Sequence, residues 1–152
     1  MTWNVVFAFL HHVTAFVIVA VLTAELVLLK GELTPTSARS VLRMDAAYGI
    51  AAAVLLVVGL VRVFYTEKGA SYYFHSAPFL AKFSLFIVVG LLSIQPTMRF
   101  LSWRKTLAAG GVPTLEPAAT RKIRMLLHIE LTLLFVIMLC AVLMARGYGY
   151  FG

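Results

Sequence analysis

The sequence predicts an all-α integral membrane protein whose four helices cross the bilayer and pack as a four-helix bundle. The first observation behind this prediction is composition. Hydrophobic residues make up 62% and charged residues 12% of the 152-residue chain, whereas a soluble domain has roughly 45–50% and about 25%. The second observation is that the apolar residues are gathered into four long runs. A domain of this size buries only about two-thirds of its surface, so lipid is the solvent that suits the remaining apolar side chains.

The four apolar runs occupy residues 5–29, 46–65, 78–101 and 125–145. Each approaches or exceeds the about 20 helical residues that cross about 30 Å of hydrocarbon, and lipid offers no partner to the unpaired backbone of any other structure. The first run is interpreted as a permanent span, because no Lys or Arg precedes it and it exceeds the about 7–15 apolar residues of a signal peptide. Polar connections with Gly and Pro separate the runs. Residues 1–152 therefore form a single membrane domain.

The excess of basic residues indicates topology rather than a nucleic-acid partner. The formal net charge is +7, with 13 Lys and Arg against 6 Asp and Glu. Nine of the bases lie in or beside the first and third connections, and three lie on the other side of the predicted membrane. The positive-inside rule then predicts a multi-pass protein with cytoplasmic basic loops and both termini outside, an N-out and C-out arrangement.

Ionisable residues within membrane spans are costly, and here they recur at the spacing of one helix face. We therefore predict four inward seams, one on each span. They are His11, Thr14, Ile18, Val21 and Glu25; Asp45, Gly49, Ala52, Leu56, Gly59 and Val63; Lys82, Phe86, Val89, Ser93 and Pro96; and His128, Thr132, Phe135 and Leu139.

The predicted outer half carries the candidates for a cofactor site. His11 and Lys82 are expected at similar depths, with Arg62, His75 and Tyr72 on the same side. A bundle core with an inward His and basic residues for the propionates suits haem b, with His11 as the metal ligand. The simpler alternative is that Lys82 and Arg62 extend to the interface and that His11 is a buried, hydrogen-bonded residue.

A second histidine is expected too deep to share an iron with the first. By the helical rise of 1.5 Å per residue, His11 and His128 are on the order of 20 Å apart in depth. If haem lies in the outer half, the second axial position belongs to His75, Lys82, water or nothing.

The predicted inner half carries a polar cluster of Glu25, Arg43, Asp45, His128 and Glu130. The simpler interpretation is ion pairing of Glu25 or Asp45 with Arg43 or Arg99. The alternative is a proton or ion relay, because burial alters the titration of carboxylates strongly. Glu130 and His128 are about 200° apart around their helix, so they do not share a face, and one of them is a candidate to contact a neighbouring subunit.

Short motifs are distributed along the chain: Glu67-Lys68-Gly69, Tyr72-Tyr73, Phe79-Leu80-Ala81-Lys82, Leu91-Leu92-Ser93-Ile94-Gln95-Pro96-Thr97 and Trp103-Arg104. Together with His11 and Glu25, they resemble an uncharacterised family of small bacterial inner-membrane proteins, known as a domain of unknown function. The resemblance covers nearly the whole chain. It implies a location in the bacterial inner (plasma) membrane and implies no activity.

Two dipeptides carry a second resemblance. Leu10-His11 early in the first span and Ala81-Lys82 early in the third are similar to the Leu-His and Ala-Lys pairs of the HemJ-type protoporphyrinogen oxidases. That resemblance implies a related membrane fold and a porphyrin site at His11 and Lys82. The aromatic context after the His and the second His-rich segment of that family are missing here, so the oxidase reaction is not implied.

Three functions are consistent with these observations. The first is a haem-binding or redox-associated membrane protein that uses the outer group. The second is a small oligomeric transporter or channel, in which the acidic residues and Lys82 line polar sites. The third is an accessory subunit of a membrane complex whose charged residues fix partner helices. All three require the lipid bilayer, and the last two require a homo-oligomer or a membrane-complex partner.

Overall fold

The computed structural model describes residues 2–66 and 68–152. Its helices are α1 (Thr2–Leu28), α2 (Pro35–Val61), α3 (Ala70–Phe74), α4 (Ala77–Ala108) and α5 (Pro117–Ala145), and α2 continues into a π-helical turn at Arg62–Thr66. Four stretches are long and apolar enough to span a membrane: Trp3–Leu28, Pro35–Tyr65, Ala77–Ala108 and Pro117–Ala145. The predicted all-α membrane bundle is confirmed. Glu67, part of one family motif, lies outside the described residues.

Three of the helices extend well beyond the predicted spans. α2, α4 and α5 contain 27, 32 and 29 residues, or about 40, 48 and 44 Å at 1.5 Å per residue, against about 30 Å of hydrocarbon. The additional turns begin α2 and α5 and end α4, so segments predicted as loops are helical. Hydropathy identifies only the apolar part of a helix. The helix itself can continue through polar residues, because its backbone hydrogen bonds are made within the helix.

Local sequence explains where these extensions begin and end. The Thr34 hydroxyl accepts a hydrogen bond from the Ser37 backbone N–H at 3.1 Å, and the Ser37 hydroxyl accepts one from the Thr34 N–H at 2.8 Å. This reciprocal capping box, followed by a proline in the first turn, fixes the start of α2. α4 ends before Gly110, whose φ of +79° is a conformation that favours glycine.

The bundle consists of two helical hairpins, α1/α2 and α4/α5. Contacts within each hairpin are extensive, whereas the hairpins meet more sparsely along α2/α4 and α1/α5. The extensions of α2, α4 and α5 carry most of the basic residues, and we call this part of the molecule the basic half. The opposite part, which adjoins both chain termini, is the terminal half.

The inward seams predicted for α1 and α4 are confirmed, because their members are buried or partly buried. On α2 the prediction holds at Asp45, Ala52, Gly59 and Val63, which are buried or partly buried, but Gly49 and Leu56 are exposed and the adjacent Tyr48 and Leu55 are buried in their place. The buried face of that helix is therefore rotated from the predicted seam.

The seam predicted for α5 is wrong. His128, Thr132, Phe135 and Leu139 are all exposed, and the buried face instead carries Leu127, Glu130 and Leu134. The prediction assumes that His128 faces the interior. The structure satisfies that ring within its own helix, where His128 Nδ1 lies 2.7 Å from the Arg124 carbonyl oxygen, so the ring needs no partner in the core.

Candidate functional site

A cavity of about 230 Å³ lies in the terminal half, between all four long helices. We call it the terminal cavity. Its walls are mainly apolar and aromatic, and they include exposed side chains such as Phe16, Leu60 and Phe83, so the cavity reaches the outer surface of the bundle. Its polar lining comes from His11, His12, Arg62, Tyr73 and Lys82.

His11 is the central polar group of the terminal cavity. Its ring is partly buried, and Nδ1 has no hydrogen-bond partner among the described residues. Gly59 of α2 faces this ring, and a Cβ at that position would lie 3.3 Å from His11 Cε1. The glycine is therefore what allows the imidazole to approach α2 so closely. The adjacent His12 is exposed, and its Nδ1 lies 2.6 Å from the Ala8 carbonyl oxygen.

Two cationic side chains share the terminal cavity with His11. Arg62 enters from the π-helical turn and Lys82 from the second turn of α4, and both are partly buried. The Lys82 ammonium lies 5.4 Å from the centroid of the Phe79 ring, within the range of a cation–π contact. The prediction that His11, Arg62 and Lys82 meet is thus consistent with the geometry. Together they make the cavity electropositive.

Two predicted members of this group lie elsewhere. Neither His75 nor Tyr72 lines the terminal cavity. His75 is exposed, and its Nδ1 lies 2.8 Å from the Ser71 carbonyl oxygen. Tyr72 stacks on Tyr150 with ring centroids 4.9 Å apart. The neighbouring Tyr73 is the tyrosine that faces the cavity.

The chain's C-terminal segment explains why this loop departs from the prediction. The Ala77 N–H donates to the Gly149 carbonyl at 3.0 Å, and the Phe151 N–H donates to the His75 carbonyl at 3.0 Å. These bonds hold the loop against the terminal segment and keep the His75 ring at the surface. A non-local backbone pairing of this kind leaves no signal in the local sequence.

Two methionines of α5, Met138 and Met144, also line the terminal cavity. Neither methionine is predicted from the sequence, because the seam through His128 places the inward face of α5 elsewhere on the helix. Once Glu130 is taken as inward, residues eight and fourteen positions later fall within about 80° and 40° of the same face. The periodicity of α5 therefore does indicate both methionines, provided that Glu130 and not His128 is taken as the inward residue.

The basic half contains three buried carboxyl groups, which we call the acid cluster: Glu25, Asp45 and Glu130. Their exposed fractions are 1%, 7% and 0%. Asp45 Oδ1 accepts a hydrogen bond from the Thr97 hydroxyl at 2.7 Å. The Tyr48 side chain adjoins Glu130, but both Glu130 oxygens and Glu25 Oε1 lack a partner in good hydrogen-bonding geometry among the described residues.

The other predicted members of the inner cluster do not join it. Arg43 and His128 are exposed. Arg99 is exposed as well, and within the described part of the chain no ion pair links it or Arg43 to Glu25 or Asp45. The expected ion pairing is therefore wrong. The three carboxyl groups are instead close to one another.

A second cavity, of about 310 Å³, runs along the α2/α4 contact in the basic half. We call it the basic cavity. Asp45, Tyr48, Ser93 and Thr97 form its polar lining, and it extends to Arg104 near the end of α4. Three apolar side chains line both cavities and form an apolar layer between them: Ile18, Phe86 and Leu134.

Neither half contains a ready-made metal cluster. Over residues 2–66 and 68–152, no group of three or more His, Cys, Asp or Glu side chains is placed to hold a metal ion. Among the described residues, a metal at His11 would therefore not find three ligands from His, Cys and carboxylate side chains alone.

The fold and its buried polar groups define a class, the polytopic membrane proteins built as a small helical bundle with polar residues in its interior. Within that class, residues 3–149 match the family described as "Predicted membrane protein (DUF2214)". The chain belongs to this family. No curated protein and no solved structure matches it.

Proposed function

We propose that the protein binds haem b in the terminal cavity and takes part in membrane redox chemistry, and that His11 would hold the iron. The observation that carries the proposal is the His11 imidazole itself. Its Nδ1 is buried without a hydrogen-bond partner among the described residues, and the ring packs so closely on Gly59 that an added Cβ would lie 3.3 Å from Cε1. Buried polar atoms are nearly always partnered, so an unpartnered ring nitrogen beside a cavity suggests a missing ligand.

The donor set of the terminal cavity fits haem in its chemistry. An imidazole is the commonest haem ligand, and thioethers such as those of Met138 and Met144 serve as second ligands in cytochromes. The apolar and aromatic walls suit a macrocycle. Arg62 and Lys82 supply positive charge for two propionates. Haem, when bound, supplies one-electron transfer.

The size of the terminal cavity sets a condition on this proposal. A volume of about 230 Å³ is below the about 300–1,000 Å³ of most ligand pockets. Accommodation of a macrocycle therefore requires the two hairpins to separate. The contacts between hairpins are the sparse ones in this bundle, so such a movement would break fewer packed contacts than a movement within either hairpin.

Within this proposal, each residue has a defined task. His11 holds the metal, and Gly59 sets the position of its ring. Arg62 and Lys82 bind and orient the anionic edge of the cofactor. The apolar layer at Ile18, Phe86 and Leu134 excludes water from the side facing the basic half.

An optical spectrum tests the proposal directly. Protein from haem-replete cells, purified in detergent, is expected to show a Soret band and a reduced-minus-oxidised difference spectrum. In His11→Ala the haem content is expected to fall at least about tenfold, the effect that even outer-shell changes have at metal sites.

The matched control is His12→Ala, which removes the adjacent, exposed imidazole and is expected to retain the wild-type spectrum. A colourless wild-type preparation that also fails to bind added haemin would contradict the proposal. Equal spectra for the His11→Ala protein and the wild type would contradict His11 as the ligand.

The proposal includes an orientation in the bacterial inner membrane, with the basic half at the cytoplasmic face. The extensions of α2, α4 and α5 carry clustered Lys and Arg, and such clusters are retained in the cytoplasm. Alkaline phosphatase fused after Gly152 is expected to be active, whereas green fluorescent protein fused after Glu116 is expected to be fluorescent. The reverse pattern of the two reporters would overturn this orientation.

A further inference from the structure

The acid cluster has no role in the proposed haem site, and its composition is unusual for a membrane interior. Glu25, Asp45 and Glu130 come from three different helices and converge in the basic half. Charged groups at such depth ordinarily pair with one another or with bases. Here the groups that converge all carry the same sign.

The titratable and charged groups around the cluster can be taken helix by helix. α1 contributes only Glu25, and α2 contributes Asp45 and Tyr48. α4 contributes the hydroxyls of Ser93 and Thr97, with Arg104 at the far end of the basic cavity. α5 contributes Glu130, and Arg124 lies six residues nearer the basic end, or about 9 Å along the helix.

Neither arginine neutralises the cluster. Arg104 is exposed and Arg124 is only partly buried, and neither forms an ion pair with the carboxyl groups within the described ranges 2–66 and 68–152. Three ionised carboxylates buried together, without a cation, would each lose hydration and repel the others. Such a cluster is stable only if it carries protons.

We infer that the acid cluster is a proton-binding site that exchanges protons with water through the basic cavity. Binding converts a carboxylate and a proton into a neutral carboxyl, with no other reactant. This inference does not rest on the haem proposal, because the two sites lie in different halves and use different residues.

The basic cavity supplies the route. Asp45, Ser93 and Thr97 line it directly, and Tyr48 lines it while adjoining Glu130 behind. From Ser93 the cavity continues to Arg104, eleven residues further along α4 and about 16 Å away along the axis. The other end is closed toward the terminal cavity by the apolar layer. The route therefore leads to the basic end, and exposed lining residues such as Gly49 and Gly90 also border the outer surface of the bundle.

A proton fits the geometry better than a metal ion does. A metal site requires three or more ligands around one point, and the described residues provide no such group. Both oxygens of Glu130 and one of Glu25 instead lack a partner in good hydrogen-bonding geometry among the described residues. Single protons on separate carboxyls need no common centre.

Infrared spectroscopy of the purified protein tests proton binding. In an ester-free detergent near neutral pH, we expect a C=O stretch from protonated carboxyl groups that shifts in D₂O. Labelling with glutamate enriched in ¹³C at the side-chain carboxyl is expected to move the part that comes from Glu25 and Glu130. Glu130→Gln and Glu25→Gln are each expected to reduce the band, whereas Glu116→Gln, at an exposed position, leaves it unchanged.

The wild-type spectrum decides the question even if a variant fails to fold. Absence of any protonated carboxyl band near neutral pH would show that all three groups are ionised and would overturn the inference. A band that persists undiminished in Glu25→Gln, Asp45→Asn and Glu130→Gln would place the proton outside the cluster, with the same consequence.

A cysteine pair tests the route. In a Cys140→Ala background, Ser93→Cys places a thiol in the basic cavity, and Ile94→Cys places one on the exposed face at the same depth. A membrane-impermeant, water-soluble thiol reagent is expected to modify the first at least about tenfold faster, because thiolate forms in water and not in lipid. Equal, slow modification of both would show a dry cavity and overturn the proposed access.

Discussion

Replacing Glu130 by methionine is expected to raise the free energy of unfolding in detergent by about 1–3 kcal/mol, the cost of a buried polar group left without a partner. Glu130 is fully buried, and neither of its oxygens has a hydrogen-bond partner in good geometry among the described residues. Methionine has a similar length and a flexible apolar side chain, so it fills the same space without strain. Thermal unfolding followed by circular dichroism measures the difference.

The control for this substitution is His128→Met on the same helix. His128 is exposed, and its Nδ1 is satisfied by the Arg124 carbonyl, so a change within about 0.5 kcal/mol is expected. A Glu130→Met protein that unfolds at a lower temperature than wild type would show that Glu130 has a stabilising partner. Such a result would also remove the argument for protonation of the acid cluster.

The size of the gain carries further information. A neutral carboxyl without a partner costs about 1–3 kcal/mol, whereas an ionised one costs several kcal/mol even after relaxation. A gain within the smaller range therefore agrees with a protonated Glu130. A gain that grows as the pH is raised would measure the ionisation of the same group.

The four spans could be predicted because membrane insertion depends on summed apolarity over about 20 residues, a property of local sequence. The lengths of the helices could not be predicted in this way. The beginning of α2 depends on the capping box at Thr34 and Ser37, which lies eight or more residues before the apolar run. Hydropathy contains no information about a polar helical turn.

The meeting of His11 with Lys82 could also be predicted, since both lie on apolar helices at similar depth and on regular seams. The position of His75 could not, because it depends on backbone bonds to the C-terminal segment. The sequence also does not show whether His128 or Glu130 faces the interior of the bundle, and the reason is different. A His can be satisfied by the carbonyl one turn earlier in its own helix, and periodicity alone does not indicate which polar residues are satisfied in that way.

The acid cluster was predicted in part. The sequence predicts an inner cluster that includes Glu25, Asp45 and Glu130, but it also predicts an arginine partner for Glu25 or Asp45. Arg43 is only two residues from Asp45 in the sequence, but its side chain is exposed, as is that of Arg99 on α4. Because Arg43 is near Asp45 in the sequence, the sequence suggests an ion pair, and it does not indicate that the acid cluster lacks a cationic partner.

Replacing Gly59 by leucine is expected to reduce haem content at least about tenfold, a loss comparable to that of His11→Ala, although the variant retains every residue proposed as a haem ligand. A Cβ at Gly59 already lies 3.3 Å from His11 Cε1, which is closer than most real contacts. The rest of a leucine side chain would extend into the terminal cavity and occupy space that a macrocycle needs. Absorbance per mole of purified protein measures the loss.

The matched control is Gly90→Leu, at a position where an added Cβ meets no atom within 4 Å. Gly90 borders the basic cavity instead of the terminal one, so its leucine variant is expected to retain wild-type haem content. His11→Ala tests the donor atom, and Gly59→Leu tests the space beside it. If the first variant lost haem and the second kept it, His11 would bind haem outside the terminal cavity, because only a ligand inside the cavity is excluded by filling it.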